Sequence, residues 1–432
     1  MTAAANEHGR EREEVDLLVV GAGEVATAQG SEALAGARLG DVTVHRDAAI
    51  ACRGDRIVEV GPSAELTARF EARETLNAEG GLVIPGLVDS HTHPVFAGTR
   101  EGEFEARARG KSYVEIAAEG GGIRSSLRGV RAASREELTL GLLGRMDRFL
   151  HLGTTTVEAK TGYGLTVADE LKGLDAIRDA DGAHPVDLVA TCLGGHDIPP
   201  EFDGRKEAWI RTVTDELWPA AVGKAAFADV FTESHVFGLH DSRLMMEAAR
   251  DLGFGLRMHV DQLTSLGGAE LAAELGAASA DHLEHVSESG MRALAESGVQ
   301  PVLCPLVPLF LRESQEAPAR AMVDAGCAPA LSTDFNPGSC YCMSLFEVMS
   351  WSTLRYGFSA SEALVAATLN AAATLRLAHD RGTLEPGKRA DLVVTDLPNH
   401  IHLTYELGRS PVRAVVKDGA VVVQPNAFKP SP

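Results

Sequence analysis

Residues 82–94 read LVIPGLVDSHTHP, an apolar run that ends in two histidines two residues apart and then a proline. In a β-strand, side chains two residues apart point to the same face. We therefore expect His91 and His93 to direct two imidazole rings at one point near the end of a strand. Such a pair is half of a metal site, and it indicates one only if other parts of the chain supply the remaining ligands.

The composition limits the kinds of partner that the chain can have. Of its 432 residues, 45% are hydrophobic and 23% are charged, which is ordinary for a globular protein. The net charge of −21 disfavours nucleic acid and anionic membrane surfaces as partners. An anionic small-molecule substrate would therefore need a local cation in its binding site.

The cysteines and the termini indicate the compartment. Six scattered cysteines without a C-x-x-C pair predict reduced thiols in the cytoplasm rather than a disulfide framework. They are Cys52, Cys192, Cys304, Cys327, Cys340 and Cys342. Residues 1–15 are polar and predict a disordered tail without the apolar segment of a signal peptide. No apolar run reaches the roughly 18 residues that a transmembrane helix needs.

Both ends of the chain are rich in short β-like segments. Apolar and β-branched runs occur between residues 16 and 60 and again between 391 and 416, where 417–420 (KDGA) is typical of a hairpin turn. We therefore expect residues 16–81 and 380–432 to form one small β-sandwich domain that is built from both termini.

Residues 82–379 alternate short apolar strands with helical patterns such as 135–151 and 269–275. The candidate strands are 82–91, 154–160, 187–193, 229–233, 256–260, 279–282, 300–304 and 328–334. Eight strands that alternate with helices predict an α/β fold of the (β/α)8, TIM-like barrel type. The alternative is a doubly wound open sheet, but no glycine-rich dinucleotide fingerprint follows any of these strands.

Metal-binding and acid–base side chains stand at the carboxyl ends of most of these strands, where barrel enzymes carry their chemistry. They are His91, His93, Glu158, Lys160, His196, Glu233, His235, His259, His282 and Asp334. A lone buried histidine usually belongs to the core, whereas several at equivalent strand ends indicate a site. Three imidazoles with one carboxylate suit Zn²⁺ and also iron. Such an ion activates water, and a neighbouring carboxylate can transfer the proton to a leaving nitrogen, which predicts hydrolysis of a C–N bond.

The motifs are similar to those of the amidohydrolase superfamily of metal-dependent hydrolases. The general resemblance lies in residues 85–93, in the lone strand histidines and in STDF at 332–335. Narrower motifs are FAGTREGEF (96–104), GKSY (110–113), TGYG (161–164), GH (195–196) with PP (199–200), ADHL (280–283) and DFNPGS (334–339). These resemble the members that open the ring of 4-imidazolone-5-propanoate to N-formimidoyl-L-glutamate, the third step of histidine degradation. The resemblance spans about residues 82–391.

The resemblance implies one Zn²⁺ or Fe³⁺ per subunit and suggests a homodimer. The implied metal ligands are His91, His93, His259 and Asp334. In the implied mechanism, water activated at the metal attacks the ring carbonyl, and Asp334 relays the water's proton to the departing ring nitrogen. His282 polarises the carbonyl or stabilises the oxyanion, and His196 holds the substrate carbonyl.

The resemblance also implies substrate contacts, and each has a structural alternative. The implied residues are Arg100, Tyr113, Tyr163, His196, Gln262, Asn336 and Gly338. An arginine binds a propionate in bidentate fashion, but Arg100 could instead pair with Glu101 or Glu103. Tyr113 could belong to the core of a helix over 112–118. The Asn-Pro-Gly sequence at 336–338 is also simply typical of a turn.

Three positions raise questions. Gln262 stands where family members carry Glu or Gln, and glutamine cannot act as a base, so proton transfer would rest on Asp334 or His282. Residues 304–309 depart from the usual family sequence and would weaken the substrate assignment if they lined the pocket. Lys160 suggests a two-metal site bridged by a carboxylated lysine, but it ends the second strand rather than the fourth. We therefore favour one metal, with Lys160 paired to Glu158 or Glu233.

Two other functions compete with this prediction. One is another cyclic-amide hydrolase or a deaminase of the same superfamily, which shares the four ligands but needs no propionate-binding arginine. The other is a non-catalytic scaffold, which the complete ligand set disfavours. Substitution of Arg100 and Tyr113 discriminates the first alternative, and metal analysis of the purified protein discriminates the second.

Overall fold

The computed structural model describes residues 12–111, 115 and 121–424. Within these ranges the strands are β1 (Glu13–Thr27), β2 (Thr43–Arg53), β3 (Arg56–Pro62), β4 (Phe70–Asn77), β5 (Leu82–Pro85), β6 (Leu87–Asp89), β7 (Thr154–Lys160), β8 (Asp187–Gly195), β9 (Phe227–Thr232), β10 (Gly255–Val260), β11 (Ser279–His282), β12 (Gln300–Leu303), β13 (Ala330–Leu331), β14 (Leu392–Thr395), β15 (Val412–Lys417) and β16 (Ala420–Val423). They divide into two sheets of eight strands.

Strands β6 to β13 form a parallel sheet in chain order that curls into a nearly closed barrel. The seam between β13 and β6 is bridged by Thr92 and Phe335. Two backbone hydrogen bonds flank the bridge, from His93 N to Phe335 O at 2.8 Å and from Asp334 N to His91 O at 3.1 Å. The predicted (β/α)8 barrel is thereby confirmed, and its seam brings the two ends of the metal motif together.

Helices follow the barrel strands and cover the sheet. The α-helices of the described residues are Ser63–Arg69, Glu101–Ala108, Ile123–Ala132, Arg135–His151, Val167–Asp181, Lys206–Thr212, Trp218–Ala221, Leu239–Asp251, Gly268–Leu275, Glu288–Ser297, Val307–Leu311, Ala319–Asp324, Leu345–Tyr356, Ala360–Ala366 and Leu369–Thr374. The longest begins with a capping box, in which Ser134 Oγ accepts from Glu137 N and Glu137 Oε2 accepts from Ser134 N. In the described part of the chain, no helix combines the length and apolarity that crossing a membrane requires.

The second sheet combines the two ends of the chain, as the sequence predicts. Its order is β16-β15-β14-β5-β1-β2-β3, and β4 also pairs with β1. Strand β1 pairs with β4 over its first half and with β5 near its end, so the sheet is one hydrogen-bonded network. The hairpin predicted at 417–420 is present, with Asp418 and Gly419 both at positive φ.

The structure corrects the predicted limits of the N-terminal tail. Strand β1 begins at Glu13, inside the segment 1–15 that was predicted to be disordered. Val15 is only 2% exposed and belongs to an apolar cluster with Leu66 and Phe70. Burial of this side chain stabilises the strand before the predicted boundary. Residues 1–11 lie outside the described residues.

The predicted strand 82–91 is two strands in different sheets. Residues Leu82–Pro85 pair with β14 and β1 of the sheet from the termini, and only Leu87–Asp89 joins the barrel. Gly86 separates them, and a Cβ there would lie 2.3 Å from Thr155 Oγ1. The chain therefore passes between the sheets at a point where a side chain has no room. The last predicted strand, 328–334, is likewise shorter, because only Ala330–Leu331 forms ladder hydrogen bonds.

Candidate metal centre and active-site cavity

Three histidines and one aspartate converge at the carboxyl end of the barrel. The Nε2 atoms of His91 and His259 each lie 3.3 Å from Nε2 of His93. Oδ1 of Asp334 lies 3.5 Å from Nε2 of His91 and 3.3 Å from Nε2 of His93. His91 and His93 immediately follow β6, His259 is on β10, and Asp334 follows β13. The four residues that the family resemblance implied as ligands are thus neighbours.

The arrangement of these four atoms fits a divalent cation. Ligand atoms at about 2.0–2.1 Å from a tetrahedral zinc stand about 3.3–3.4 Å from one another. Four of the six separations among these atoms are 3.3–3.5 Å, in agreement with that geometry. Asp334 Oδ1 is also buried and accepts no hydrogen bond from the described residues. A buried carboxylate oxygen of this kind needs a cation for compensation.

Two further aspartates, which sequence reasoning missed, orient the histidines. His91 Nδ1 lies 2.6 Å from Asp281 Oδ2, and His259 Nδ1 lies 3.1 Å from Asp229 Oδ1. A carboxylate only accepts, so each ring donates from Nδ1 and directs Nε2 at the centre. The available signal was a charged residue inside a short strand: Asp229 lies in β9 and Asp281 in β11, and both are completely buried.

The pKa values of the three histidines are shifted from the ordinary value in different directions. Burial lowers the pKa of His93 and takes that of His259 well below its usual value, so both are neutral. Burial and the Lys160 charge also oppose protonation of His91, but Asp281 and Asp334 raise its pKa to about 9. A metal must therefore displace a proton from His91.

Lys160 lies beneath the centre in a buried ionic network. Its Nζ donates to Glu158 Oε1 at 2.8 Å and to Asp229 Oδ2 at 2.7 Å, and it is completely buried. Arg257 Nη2 is 3.3 Å from Asp281 Oδ2 in the same network. The predicted pairing of Lys160 with Glu158 is present, but the alternative pairing with Glu233 is not.

Glu233 has a different role from the one that the sequence suggested. It binds the loop after β10, accepting from Leu263 N at 2.8 Å and from Thr264 Oγ1 at 2.6 Å. His235, also singled out at a strand end, lines the cavity but does not join the metal cluster.

The cluster forms one wall of a cavity of about 600 Å³. His196, Tyr163, Gln262 and His282 line it together with His93, His259 and Asp334 of the cluster. An adjoining cavity of about 440 Å³ shares Tyr163 and His196 and is lined by Arg100. Residues 304–309 do not line either of these two cavities, whereas Leu311 lines both. The unusual segment therefore does not bear on the substrate assignment.

The hydrogen bonding of His196 favours a different substrate contact from the predicted one, a carbonyl. Its Nδ1 lies 2.9 Å from the backbone oxygen of Gly162, which can only accept a hydrogen bond. Burial, with the nearby His93, lowers the pKa of His196 to about 3, so the ring is neutral. A neutral ring that donates from Nδ1 has only a lone pair at Nε2, and this atom can accept from an N–H but cannot donate to a carbonyl.

Arg100 is buried beside the cavity and is already paired. Its side chain is 8% exposed, and its Nη2 and Nε lie 2.7 and 3.0 Å from Glu103 Oε2. The Glu103 alternative considered from the sequence is therefore present, in the cavity wall rather than on the surface. Glu103 also accepts from Gly122 N at 3.2 Å. This carboxylate holds Arg100 in place rather than leaving it a mobile cation.

Asn336 and Gly338 line the cavities and also order the loop after β13, and their predicted contact with substrate stays a prediction. Asn336 Oδ1 accepts from Gly338 N and Ser339 N, and its Nδ2 donates to Asp334 O and Ser339 Oγ. These four bonds use the whole capacity of the amide. Gly338 leaves space for Arg100, because a Cβ there would lie 2.2 Å from Arg100 Nη1.

Of the remaining residues predicted to contact substrate, Tyr163 and Gln262 line the cavity, and Tyr113 lies outside the described part of the chain. Tyr163 is 4% exposed, and its ring centroid lies 5.2 Å from that of His196 and 6.0 Å from that of His93. Tyr163 lines the cavity, and its predicted contact with substrate stays a prediction. Gln262 lines the cavity beside His259. Tyr113 lies outside the described residues.

Comparisons with known proteins agree with this fold. A model of the amidohydrolase family matches residues 82–422, and one for the bacterial imidazolonepropionase-like composite domain matches residues 48–70. A 5-methylcytosine deaminase from Klebsiella pneumoniae shares the fold with a TM-score of 0.72 at 17% identity, covering 96% of this chain and 99% of that one. An adenosine deaminase from Xanthomonas campestris, solved with bound zinc, has a TM-score of 0.68 at 21% identity, with 98% and 96% covered. The chain belongs to the amidohydrolase family.

Sequence relatives narrow the family further. The imidazolonepropionase of Symbiobacterium thermophilum is 46% identical over 415 residues, which cover 95% of this chain and 97% of the relative. That of Rubrobacter xylanophilus is 45% identical over 409 residues, which cover 94% and 98%. Within the amidohydrolases, the chain therefore belongs with the imidazolonepropionases.

Proposed function

We propose that this protein hydrolyses the ring C–N bond of 4-imidazolone-5-propanoate to give N-formimidoyl-L-glutamate, in histidine degradation. The observation that supports this proposal most strongly is the placement of the metal cluster and of Arg100. His93, His259 and Asp334 of the cluster line one cavity, and Arg100 lines an adjoining cavity that shares part of its wall. A cyclic amide that carries a carboxylate needs a hydrolytic centre at one end and a cation at the other. The relatives named above support the same activity.

The proposed metal is Zn²⁺ or iron, held by His91, His93, His259 and Asp334. When bound, the ion acts as a Lewis acid and lowers the pKa of the attacking water. Asp334 supplies the proton acceptor, because its pKa lies well below the usual value: burial opposes this, but the His91 and His93 imidazoles outweigh burial. Its carboxylate takes the water's proton and passes it to the departing ring nitrogen.

His282 is the proposed donor to the reacting carbonyl oxygen. It lines the cavity, and its ring centroid lies 5.0 Å from that of His91 and 5.2 Å from that of His259. Burial lowers its pKa to about 4, so it acts as a neutral hydrogen-bond donor. Donors that face a developing oxyanion in a dry site are worth about 3 kcal/mol of transition-state stabilisation.

His196 and Gln262 are the proposed contacts to the ring edge. Because His196 Nε2 can only accept, it is matched to a ring N–H of the imidazolone rather than to its carbonyl. Gln262 can donate and accept but cannot act as a base. Both side chains therefore position the ring, while proton transfer stays with Asp334.

Arg100 is the proposed partner of the propionate, pre-oriented by Glu103. This residue separates the proposed activity from that of a deaminase, which acts on rings without a carboxylate. The deaminases that share the fold at 17–21% identity support the architecture alone. We also propose a cytoplasmic location, supported by six unpaired cysteines. Assembly as a homodimer stays a prediction, which light scattering would test.

The test is to follow the loss of 4-imidazolone-5-propanoate absorbance with the purified, metal-loaded protein. We expect turnover that a chelator abolishes and that added Zn²⁺ or iron restores, with N-formimidoyl-L-glutamate identified by mass spectrometry. Cytosine and guanine serve as counter-substrates and should not be converted. Turnover that survives full chelation would contradict the proposed metal dependence. Deamination of cytosine or guanine would favour the alternative function, that of a deaminase of the same superfamily.

A further inference from the structure

A buried acidic side chain, that of Glu284, lies beside His282. Glu284 follows β11 by two residues and is only 2% exposed. Neither of its carboxyl oxygens has a hydrogen-bond partner among the described residues, and neither does Nδ1 of His282. Glu284 Oε1 and His282 Nδ1 are 3.9 Å apart. Two buried polar groups without partners thus face each other, at a distance that a small side-chain rotation reduces to a hydrogen bond.

The surroundings of Glu284 favour a neutral carboxylic acid. A buried carboxylate needs a cation or several donors, whereas Glu284 has no cation partner and, among side chains of the described residues, only His282 Nδ1 within reach. Burial, together with the charges of Glu313 and Asp334, raises the pKa of Glu284 to about 8, against the opposing effects of its own backbone N–H and of His91. The group is therefore able to donate an O–H at neutral pH.

We propose that Glu284 is a positioning residue that donates its O–H to Nδ1 of His282 and holds that ring with Nε2–H directed at the reacting oxygen. A neutral imidazole carries one N–H, so a donor at Nδ1 forces the proton onto Nε2. His282 then donates from the nitrogen on the cavity side. The inference rests on the proposed function only for the identity of the oxygen that receives this bond.

The hydrogen-bonding arrangement is the reverse of that at the metal ligands. Asp281 and Asp229 accept from His91 and His259 and leave a lone pair at Nε2, which suits a metal ligand. A protonated Glu284 donates to His282 and leaves an N–H at Nε2, which suits an oxyanion donor. The acids behind these histidines therefore determine opposite roles for rings that are in contact: His91 and His259 are metal ligands, and His282 is a hydrogen-bond donor.

Two substitutions at residue 284 separate hydrogen bonding from packing. Glu284→Met keeps the length of the side chain without a hydrogen bond, and Glu284→Gln keeps an N–H that can donate to Nδ1. We expect Glu284→Met to lower kcat about tenfold or more with KM changed by less than about twofold, because a transition-state contact is lost. Glu284→Gln should retain kcat within about threefold of wild type. Metal content should be unchanged in both.

The matched control is Glu270→Gln. Glu270 is another acid with an unpartnered buried oxygen, but it binds Ser287 and Ser289 outside the cavity. Its variant should keep the wild-type kcat. A Glu284→Met variant with kcat within about twofold of wild type would overturn the proposal, and so would a Glu284→Gln variant as impaired as Glu284→Met.

A measurement without turnover keeps the inference independent of the proposed function. In zinc-loaded protein with ¹⁵N-labelled histidine, His282 should show a protonated Nε2 and an acceptor-type Nδ1, and Glu284→Gln should preserve this pattern. A protonated Nδ1 in the wild-type protein would overturn the proposal even if the Glu284→Met variant does not fold. Failure of the wild-type enzyme to convert the imidazolone would instead contradict the proposed function and leave the tautomer result unaffected.

Discussion

Nδ1 of His91 lies 2.6 Å from Oδ2 of Asp281, and both side chains are completely buried. The pair joins the segment after β6 to β11, and it fixes which nitrogen of His91 faces the metal centre. The same carboxylate oxygen is 3.3 Å from Arg257 Nη2, so one aspartate links the metal ligand to the ionic network beneath it.

Loss of the Asp281 charge should weaken metal binding. In Asp281→Asn, the neutral amide orients His91 less strongly and lowers its basicity, so we expect metal affinity to fall about 10–100-fold. Competition with a chromophoric chelator measures this change. Asp251→Asn, an exposed position on the helix Leu239–Asp251, is the control and should bind metal normally. Unchanged affinity in Asp281→Asn would show that the hydrogen bond is not needed for binding.

Metal affinity should rise with pH up to about 9. His91 has a pKa of about 9, so below that pH it carries a proton that the metal must displace. The apparent affinity should therefore fall about tenfold for each pH unit below 9. Calorimetry in buffers of different ionisation enthalpy measures the proton released. Release of no proton near pH 7 would contradict a protonated His91 in the metal-free chain.

Asp334→Asn should abolish turnover while leaving the fold intact. The amide cannot accept the water's proton, so kcat should fall by at least about 10³-fold. Circular dichroism and the unfolding transition check the fold, and the metal content separates lost binding from lost proton transfer. Near-normal activity in this variant would remove Asp334 from the mechanism.

Gly338→Ala should impair substrate binding through Arg100. The added Cβ would lie 2.2 Å from Arg100 Nη1, so the guanidinium must move. We expect KM for the carboxylate substrate to rise about tenfold, with a smaller effect on kcat. Gly102→Ala is a matched control, because a Cβ there meets nothing within 4 Å. An unchanged KM in Gly338→Ala would show that the position of Arg100 does not govern substrate binding.

Lys160→Met should destabilise the barrel strongly. The substitution leaves Glu158 and Asp229 buried without their ammonium partner, and breaking such a buried pair costs about 3–5 kcal/mol of the free energy of unfolding. Urea denaturation measures the loss. Lys224→Met, which removes a partly exposed partner of Asp175, should cost about 1 kcal/mol or less. Equal losses in the two variants would argue against a special role of the buried network.

The sequence by itself determined the barrel and the identity of the cluster. Strand periodicity located β7 and β11 with their observed limits, and the H-x-H pair, His259 and Asp334 all fell at strand ends. These features are local or repeat regularly. The two-residue alternation of side chains along a strand, together with a family motif, is therefore enough to find them. The resemblance also supplied Arg100 and Tyr163, which the structure places at the cavity.

Only the tertiary structure decided how the polar groups share their hydrogen bonds. The side-chain amide of Asn336 makes its hydrogen bonds within its own turn, and Gly162 O accepts the only N–H of a neutral His196. Arg100 is bound to Glu103, and Asp281 meets His91 across 190 positions of sequence. The type of a side chain determines which hydrogen bonds it can donate or accept. Which partner it bonds depends on interatomic distances, and these are set when the barrel closes.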